Sequence, residues 1–209
     1  MDFTNKNILV LDIETQKSFQ EVGGKSRSQF LEKLKVSVVG VYDYRIGQYV
    51  AYEEGKMMEL EARLKEAALV VGFNSRRFDL PVLQPYLFVK VDSIPQIDLL
   101  EAVEAARGHR ASLDSLAGPT LKQHKSGSGR DAITLYKEGR LDELKRYCLD
   151  DVRLTKEIFE YGIREGKVLF TSNWDYKTYE IAVNWKQETE DLLSGVKSSP
   201  AAHFPSSLF

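Results

Sequence analysis

Asp12 and Glu14 stand at the end of an almost continuous apolar run, Asn7-Ile8-Leu9-Val10-Leu11-Asp12-Ile13. Side chains alternate across a strand, so these two acids project from one face, two residue rises or roughly 6.6 Å apart. Burying an unpaired carboxylate is costly, and the remedies are a basic partner, a raised pKa or a metal ion. The plainer alternative is that the strand emerges into solvent here and both acids are hydrated. A second set, Asn74-Ser75-Arg76-Arg77-Phe78-Asp79, follows the short apolar segment Leu69 to Phe73. It places an amide and an acid on a strand-to-helix connection, where a site at the carboxyl end of a sheet would lie. Turn formation and helix capping would account for Asn74 and Asp79 equally well. The third set is Tyr147-Cys148-Leu149-Asp150-Asp151. Tyr147 and Asp151 are four apart and share a helical face. The apolar stripe of that segment runs Leu141, Leu144, Cys148, Val152, Thr155, Ile158 and Phe159, with Asp151 inside it and Asp150 outside. A core aromatic and a salt-bridged aspartate remain the alternatives for these two.

The elements that must position these residues can be read from pattern. Residues 7–13 have the composition of a strand covered on both faces. Residues 36–44 and 48–53 read as two more strands with Ile46-Gly47 at their turn, giving a three-strand meander. Met57 to Ala67 has helical spacing, Leu69 to Phe73 is a short buried strand, and Phe78 to Leu87 reads as a helix with Pro81 in its first turn. Ile94 to Leu99 supplies a fifth strand, and short helices follow at 99–106 and 112–117. Lys125-Ser126-Gly127-Ser128-Gly129-Arg130 reads as a flexible basic loop, and residues 140–163 form the longest helix. Val168 to Phe170 and Tyr179 to Trp185 read as a closing hairpin. A meander followed by alternating helices and strands predicts an α/β architecture, a mixed five-stranded sheet with helices on both faces. One domain is expected over residues 1–193, including the hairpin near 168–185, with a disordered tail over 194–209.

The 209 residues, 43% hydrophobic and 29% charged, suffice for one substantial core. The single cysteine, Cys148, excludes an intramolecular disulfide, and the three histidines are too scattered for a local zinc motif. A reducing, cytoplasmic setting is expected. No apolar run approaches the roughly 20 residues of a membrane span, and the first residues lack the pattern of a signal peptide. Gly23-Gly24-Lys25-Ser26 ends like a phosphate-binding loop, but Phe19 stands where that motif's first glycine belongs. The net charge of −2 argues against a general binder of phosphate backbones. Acids reserved for cations would lower that figure, and local basic groups exist at Lys25 and Arg27, Arg76-Arg77, Arg107 to Arg110 and Lys122 to Lys125.

Asp12-x-Glu14, Asn74-x-x-x-Phe78-Asp79 and Tyr147-x-x-x-Asp151 together resemble, in order and spacing, the three exonuclease motifs of the DEDD superfamily in its tyrosine-bearing branch. The match covers about residues 7–163. The histidine-bearing branch is disfavoured, because Arg146 lies five residues before Asp151 and Lys145 five before Asp150. The resemblance implies an RNase H-like fold and metal-dependent hydrolysis of nucleic acid, DNA or RNA, from a free 3′ end. Such hydrolysis requires an activated water and neutralisation of the leaving oxygen, which two divalent ions about 4 Å apart can supply. Hard oxygen ligands suit Mg²⁺ or Mn²⁺. By resemblance Asp12, Glu14, Asp79 and Asp151 would hold the ions and Tyr147 would orient the water. Asn74 would touch the terminal nucleotide, and Lys122, Lys125 and Arg130 would grip the substrate backbone. A catalytically weak module that binds nucleic acid or a partner on the same fold is the alternative. The terminal Leu208-Phe209 resembles the ending of peptides that dock on sliding clamps, without their glutamine, and implies a clamp or other protein partner; folding back onto the domain is the other reading.

Overall fold

A computed structural model describes residues 3–23, 26–125, 127, 129–172 and 174–195. Of the tail expected over 194–209, Ser194 and Gly195 instead end and cap a helix, and residues 196–209, with Leu208 and Phe209, lie outside the described residues, as do Gly24 and Lys25. The main sheet has the strand order β3-β2-β1-β4-β5. β1 (Ile8–Thr15), β2 (Val36–Asp43) and β3 (Gln48–Glu53) form the antiparallel meander. β4 (Leu69–Gly72) and β5 (Gln96–Asp98) add in parallel on the other side of β1. The sheet is therefore mixed, as the pattern predicts, and a separate hairpin of β6 (Lys167–Thr171) and β7 (Thr178–Ala182) follows.

The period of two along β1 divides the core. Ile8 and Val10 belong to one apolar cluster with Val152, Ile158 and Phe159 of α7 (Leu141–Glu165), together with α4 (Leu99–Arg107) and α5 (Leu113–Leu121). Leu9, Leu11 and Ile13 belong to the other, with α1 (Arg27–Leu34), α2 (Met57–Glu66) and α3 (Asp79–Leu83). Helices thus cover both faces. Asp12 and Glu14 continue the parity of Ile8 and Val10, so they lie on the α7 side, beyond the apolar contacts.

Three further expectations need correction. The connection after Lys122 is not a loop running directly into the long helix, because α6 (Gly129–Lys137) intervenes. Its Ala132, Leu135 and Tyr136 pack with Leu144 and Cys148 of α7, an i, i+3, i+4 face that the glycine and serine residues before it conceal. Trp185 ends no strand. β7 stops at Ala182 and Trp185 opens α8 (Trp185–Ser194), its indole only 1% exposed against Gly162, where a Cβ would stand 2.3 Å from the ring. The helix expected to reach Leu87 ends at Leu83 and tightens into a 3₁₀ turn over Gln84–Tyr86, containing Pro85. Among the described residues no helix is long and apolar enough to cross a membrane.

Candidate metal centre

The acids of β1 meet α7 because the sheet is thin where they stand. Asp12 pairs in register with Gly40 of β2. A Cβ on Gly40 would lie 2.9 Å from both Cys148 Sγ and Val152 Cγ2 of α7. The missing side chain lets the helix settle close to the strand, and Cys148 Sγ reaches the Asp12 carbonyl at 3.6 Å. One helical turn beyond Tyr147, Asp151 then faces the strand acids. Oxygens of Asp12, Glu14 and Asp151 all lie within 4.8 Å of one another.

Asp79 arrives by another route. β4 ends at Gly72, and past the last β1–β4 pair, Val10 with Val71, the Ile13 amide has no strand partner on that side. Asp79, the first residue of α3, accepts that amide at 3.1 Å through Oδ1. Its carboxylate lines the same cleft of about 280 Å³ as Asp12, Glu14, Asn74, Tyr147 and Asp151, but stands outside the three-acid group. The connection carrying it is a tight turn: Asn74 adopts a left-handed φ of 65°, and a Cβ on Gly72 would collide with Ser75 at 2.4 Å. Asp98, at the end of β5, holds this turn. Its carboxylate accepts the amides of Asn74 at 2.7 Å, Arg76 at 3.1 Å and Leu100 at 3.0 Å, the last as the N-cap of α4.

Charge is crowded here. Burial, then the neighbouring Asp79, Asp151 and Glu14, push the Asp12 carboxyl well above the usual carboxylate range. Burial and Asp151 raise Glu14 to about 8, and burial raises Asp79 to about 7 against the backbone amides it accepts. Burial also raises Asp151, opposed by Lys125. The Lys125 ammonium lies 2.5 Å from Asp151 Oδ2. Burial works against its charge, yet Asp151 more than offsets this and raises its pKa. The salt-bridge alternative for Asp151 is thus realised at one oxygen. The other, Oδ1, is buried without a hydrogen-bond partner among the described residues, as is the Tyr147 hydroxyl. Burial and the Asp151 charge raise the Tyr147 pKa, so the phenol keeps its proton.

The remaining sequence candidates separate. Lys125 is in the cleft as the counter-charge of Asp151. Arg130, in α6, borders an adjoining cleft shared with Glu14 and Phe19, whereas Lys122 is the exposed, left-handed cap of α5 and lines neither. Arg110, grouped above only with a basic stretch, enters the cleft and donates to Asn74 Oδ1. No pattern marks it. Asp98 had a signal, an aspartate directly before an apolar helical segment. A larger cavity of about 750 Å³ lies at the other end of β1, beside Phe3, Tyr44 and Arg45. Glu160 is the single acid among its lining residues and accepts the Tyr44 hydroxyl, so the carboxylate chemistry belongs to the acidic cleft.

Three all-oxygen carboxylates converging on one point, with an unpartnered buried oxygen among them, fit a hard divalent cation such as Mg²⁺ or Mn²⁺. A family model described as the RNase_H superfamily matches residues 9–163, the span from β1 to the end region of α7. No curated protein matches the chain.

Proposed function

The chain belongs to the RNase H superfamily, and from that premise we propose that it is a metal-dependent 3′-to-5′ exonuclease of the tyrosine-bearing DEDD branch, acting on DNA or RNA. The observation that carries the reading is the convergence of Asp12, Glu14 and Asp151 beside a buried, protonated Tyr147 hydroxyl. Asp12, Glu14 and Asp151 would hold a divalent ion, with Asp79 completing a site for a second. Such ions lower the pKa of water and neutralise charge that develops on phosphate oxygens.

The protein's own groups divide the remaining work. Tyr147 lacks a metal ligand's chemistry at neutral pH, since its phenol stays protonated; it donates a hydrogen bond that fixes the attacking water. Asn74, held in its strained turn by Asp98, presents its amide to the terminal nucleotide, and Arg110 beside it supplies a cation for a phosphate. Lys125 stabilises the acid cluster when cations are scarce.

The test is a titration of Mg²⁺ and Mn²⁺ against 3′-labelled and 5′-labelled oligonucleotides. Stepwise loss of the 3′ label is expected, abolished in Asp12→Ala and Asp151→Asn. One observation favours the alternative of a catalytically weak binding module: Lys125 already occupies one oxygen of Asp151. Tight oligonucleotide binding with no cleavage at saturating Mn²⁺ would select that module.

A further inference from the structure

The β6–β7 hairpin takes no part in the acidic cleft, yet its tip carries Trp174, 94% exposed, and Tyr176, 83% exposed. Hydrogen bonds tie the described residues of the turn that displays them. Ser172 Oγ accepts the amides of Trp174 at 3.2 Å and Asp175 at 3.4 Å, and the Ser172 carbonyl accepts the Tyr176 amide at 2.9 Å. The Asp175 carboxylate accepts the Tyr179 hydroxyl, and Tyr176 is held in the left-handed region at φ 56°. A chain that fixes a strained turn while leaving an indole in water has placed an aromatic face where a ligand can reach it.

A cleft of about 520 Å³ lies between this tip and the α4–α5 connection, walled by Arg107, His109, Arg110, Phe170 and Trp174. The Arg107 guanidinium sits 3.9 Å from the centre of the Tyr179 ring and 5.6 Å from that of Phe170, and the His109 ring is 5.7 Å from Phe170. Cations interleaved with aromatic faces are what a single strand needs, since bases stack and phosphates pair. The acids nearby do not cancel this. Asp175, ionised though it accepts the Tyr179 hydroxyl, is the single acid among the cleft's lining residues against Arg107 and Arg110, and Glu104 is shared between Arg77 and Arg110. Arg110 is the link: it walls this cleft and the acidic one, where it donates to Asn74.

We propose that the hairpin tip and the α4–α5 connection bind the single-stranded part of a nucleic acid whose end occupies the acidic cleft, with the Trp174 indole stacked on a base and Arg107 and Arg110 taking phosphates. This rests on the nuclease reading for its orientation, while the binding itself can be measured without hydrolysis. Of the two tryptophans, Trp185 is 1% exposed, so a fluorescence change on titration reports Trp174. Oligothymidylate and oligouridylate of about ten nucleotides, added in the presence of a chelator, should quench it. Trp174→Ala should abolish the quenching and weaken binding of a labelled strand roughly tenfold, with Trp174→Phe retaining most of the affinity. In hydrolysis, Trp174→Ala should raise KM for the long strand by a similar factor and leave turnover of a dinucleotide unchanged. Quenching and its loss in a protein that cleaves nothing would leave the binding surface standing and remove the nuclease reading. Normal cleavage with no quenching, or with Trp174→Ala binding as wild type does, would remove the surface and leave the nuclease.

Discussion

Glu14→Gln should stabilise the metal-free protein by an amount that grows as pH rises from about 4.5 to about 8. Glu14 is 8% exposed, and its carboxyl is raised from 4.5 to about 8, first by burial and then by Asp151. The sign follows from which state holds the proton. Below 4.5 folded and unfolded chains are both protonated at this position, and the group costs nothing. As pH rises toward 8 the unfolded chain releases its proton while the folded chain keeps it, so stability falls; above 8 the full penalty is present. The gap between the two values corresponds to about 5 kcal/mol. A proton on one acid relieves Asp12 and Asp79 as well, so the realised effect is smaller, and about 2 kcal/mol would move Tm by roughly 4–8 °C in a chain of this length. Thermal unfolding of wild type and Glu14→Gln in chelator, at about pH 5 and about pH 9, reads the difference directly. The variant should be more stable at the upper pH and nearly equal at the lower. Saturating Mn²⁺ should then raise wild type more than the variant, because binding to the folded state alone adds stability. A variant equally stabilised at both pH values, or destabilised at the upper one, would refute a desolvated cluster of carboxylates.

Other substitutions separate the parts of the site. Tyr147→Phe should lower cleavage about a hundredfold while leaving Mn²⁺ affinity, measured by calorimetry, unchanged; a loss of affinity matching that of Asp151→Asn would make the tyrosine part of the ion site. Lys125→Met removes a cation 2.5 Å from Asp151 and should tighten Mn²⁺ binding roughly tenfold, whereas weakened binding would mean that the lysine organises the site instead. Asp98→Ala strips three backbone amides of their acceptor and should cost about 2–4 kcal/mol in denaturant unfolding, with KM for oligonucleotide rising as Asn74 loses its turn. Gly40→Val should push α7 from the sheet and weaken Mn²⁺ binding even where the fold survives; unchanged affinity would show that the close approach is not what assembles the acids.

The fold was legible where one period governs. The valine-rich runs gave β1 to β4 within a residue or two, and the stripe along α7 predicted that Asp151 and Tyr147 face inward, as both do. Where two periods coincide the sequence misleads. Tyr179, Ile181, Val183 and Trp185 alternate as a strand should, but Gly162 offers a seat for one large ring, and the chain turns into α8 to fill it. α6 was hidden for the opposite reason: its glycine start carries low helix propensity, and its packing on α7 overrides that weakness.

Within the site, Asp12, Glu14 and Asp151 could be named from local sequence because each, unlike Asp79 delivered by a turn, sits on a regular element whose period fixes its direction. Their mutual distances could not, because those depend on how closely α7 approaches β1, and that is set by Gly40, a residue that reads as a mere weakness in an otherwise β-branched strand. Asp98 and Lys125 show the same limit in polar form. One is pinned to Asn74 across 24 positions and the other to Asp151 across 26, and neither distance leaves a trace in local pattern. Lys125, which as a basic loop residue reads from sequence as a grip on phosphate, lies 2.5 Å from Asp151, in the field of the three converging carboxylates. The cluster breaks the rule that a core buries no unpaired charge, and the elements around it are consistent enough to hold it together anyway. With ions absent, such an arrangement is held by the Lys125 charge and by the protons that its raised carboxyls retain; in the proposed working state, the divalent cations that the carboxylate oxygens would hold take over that role.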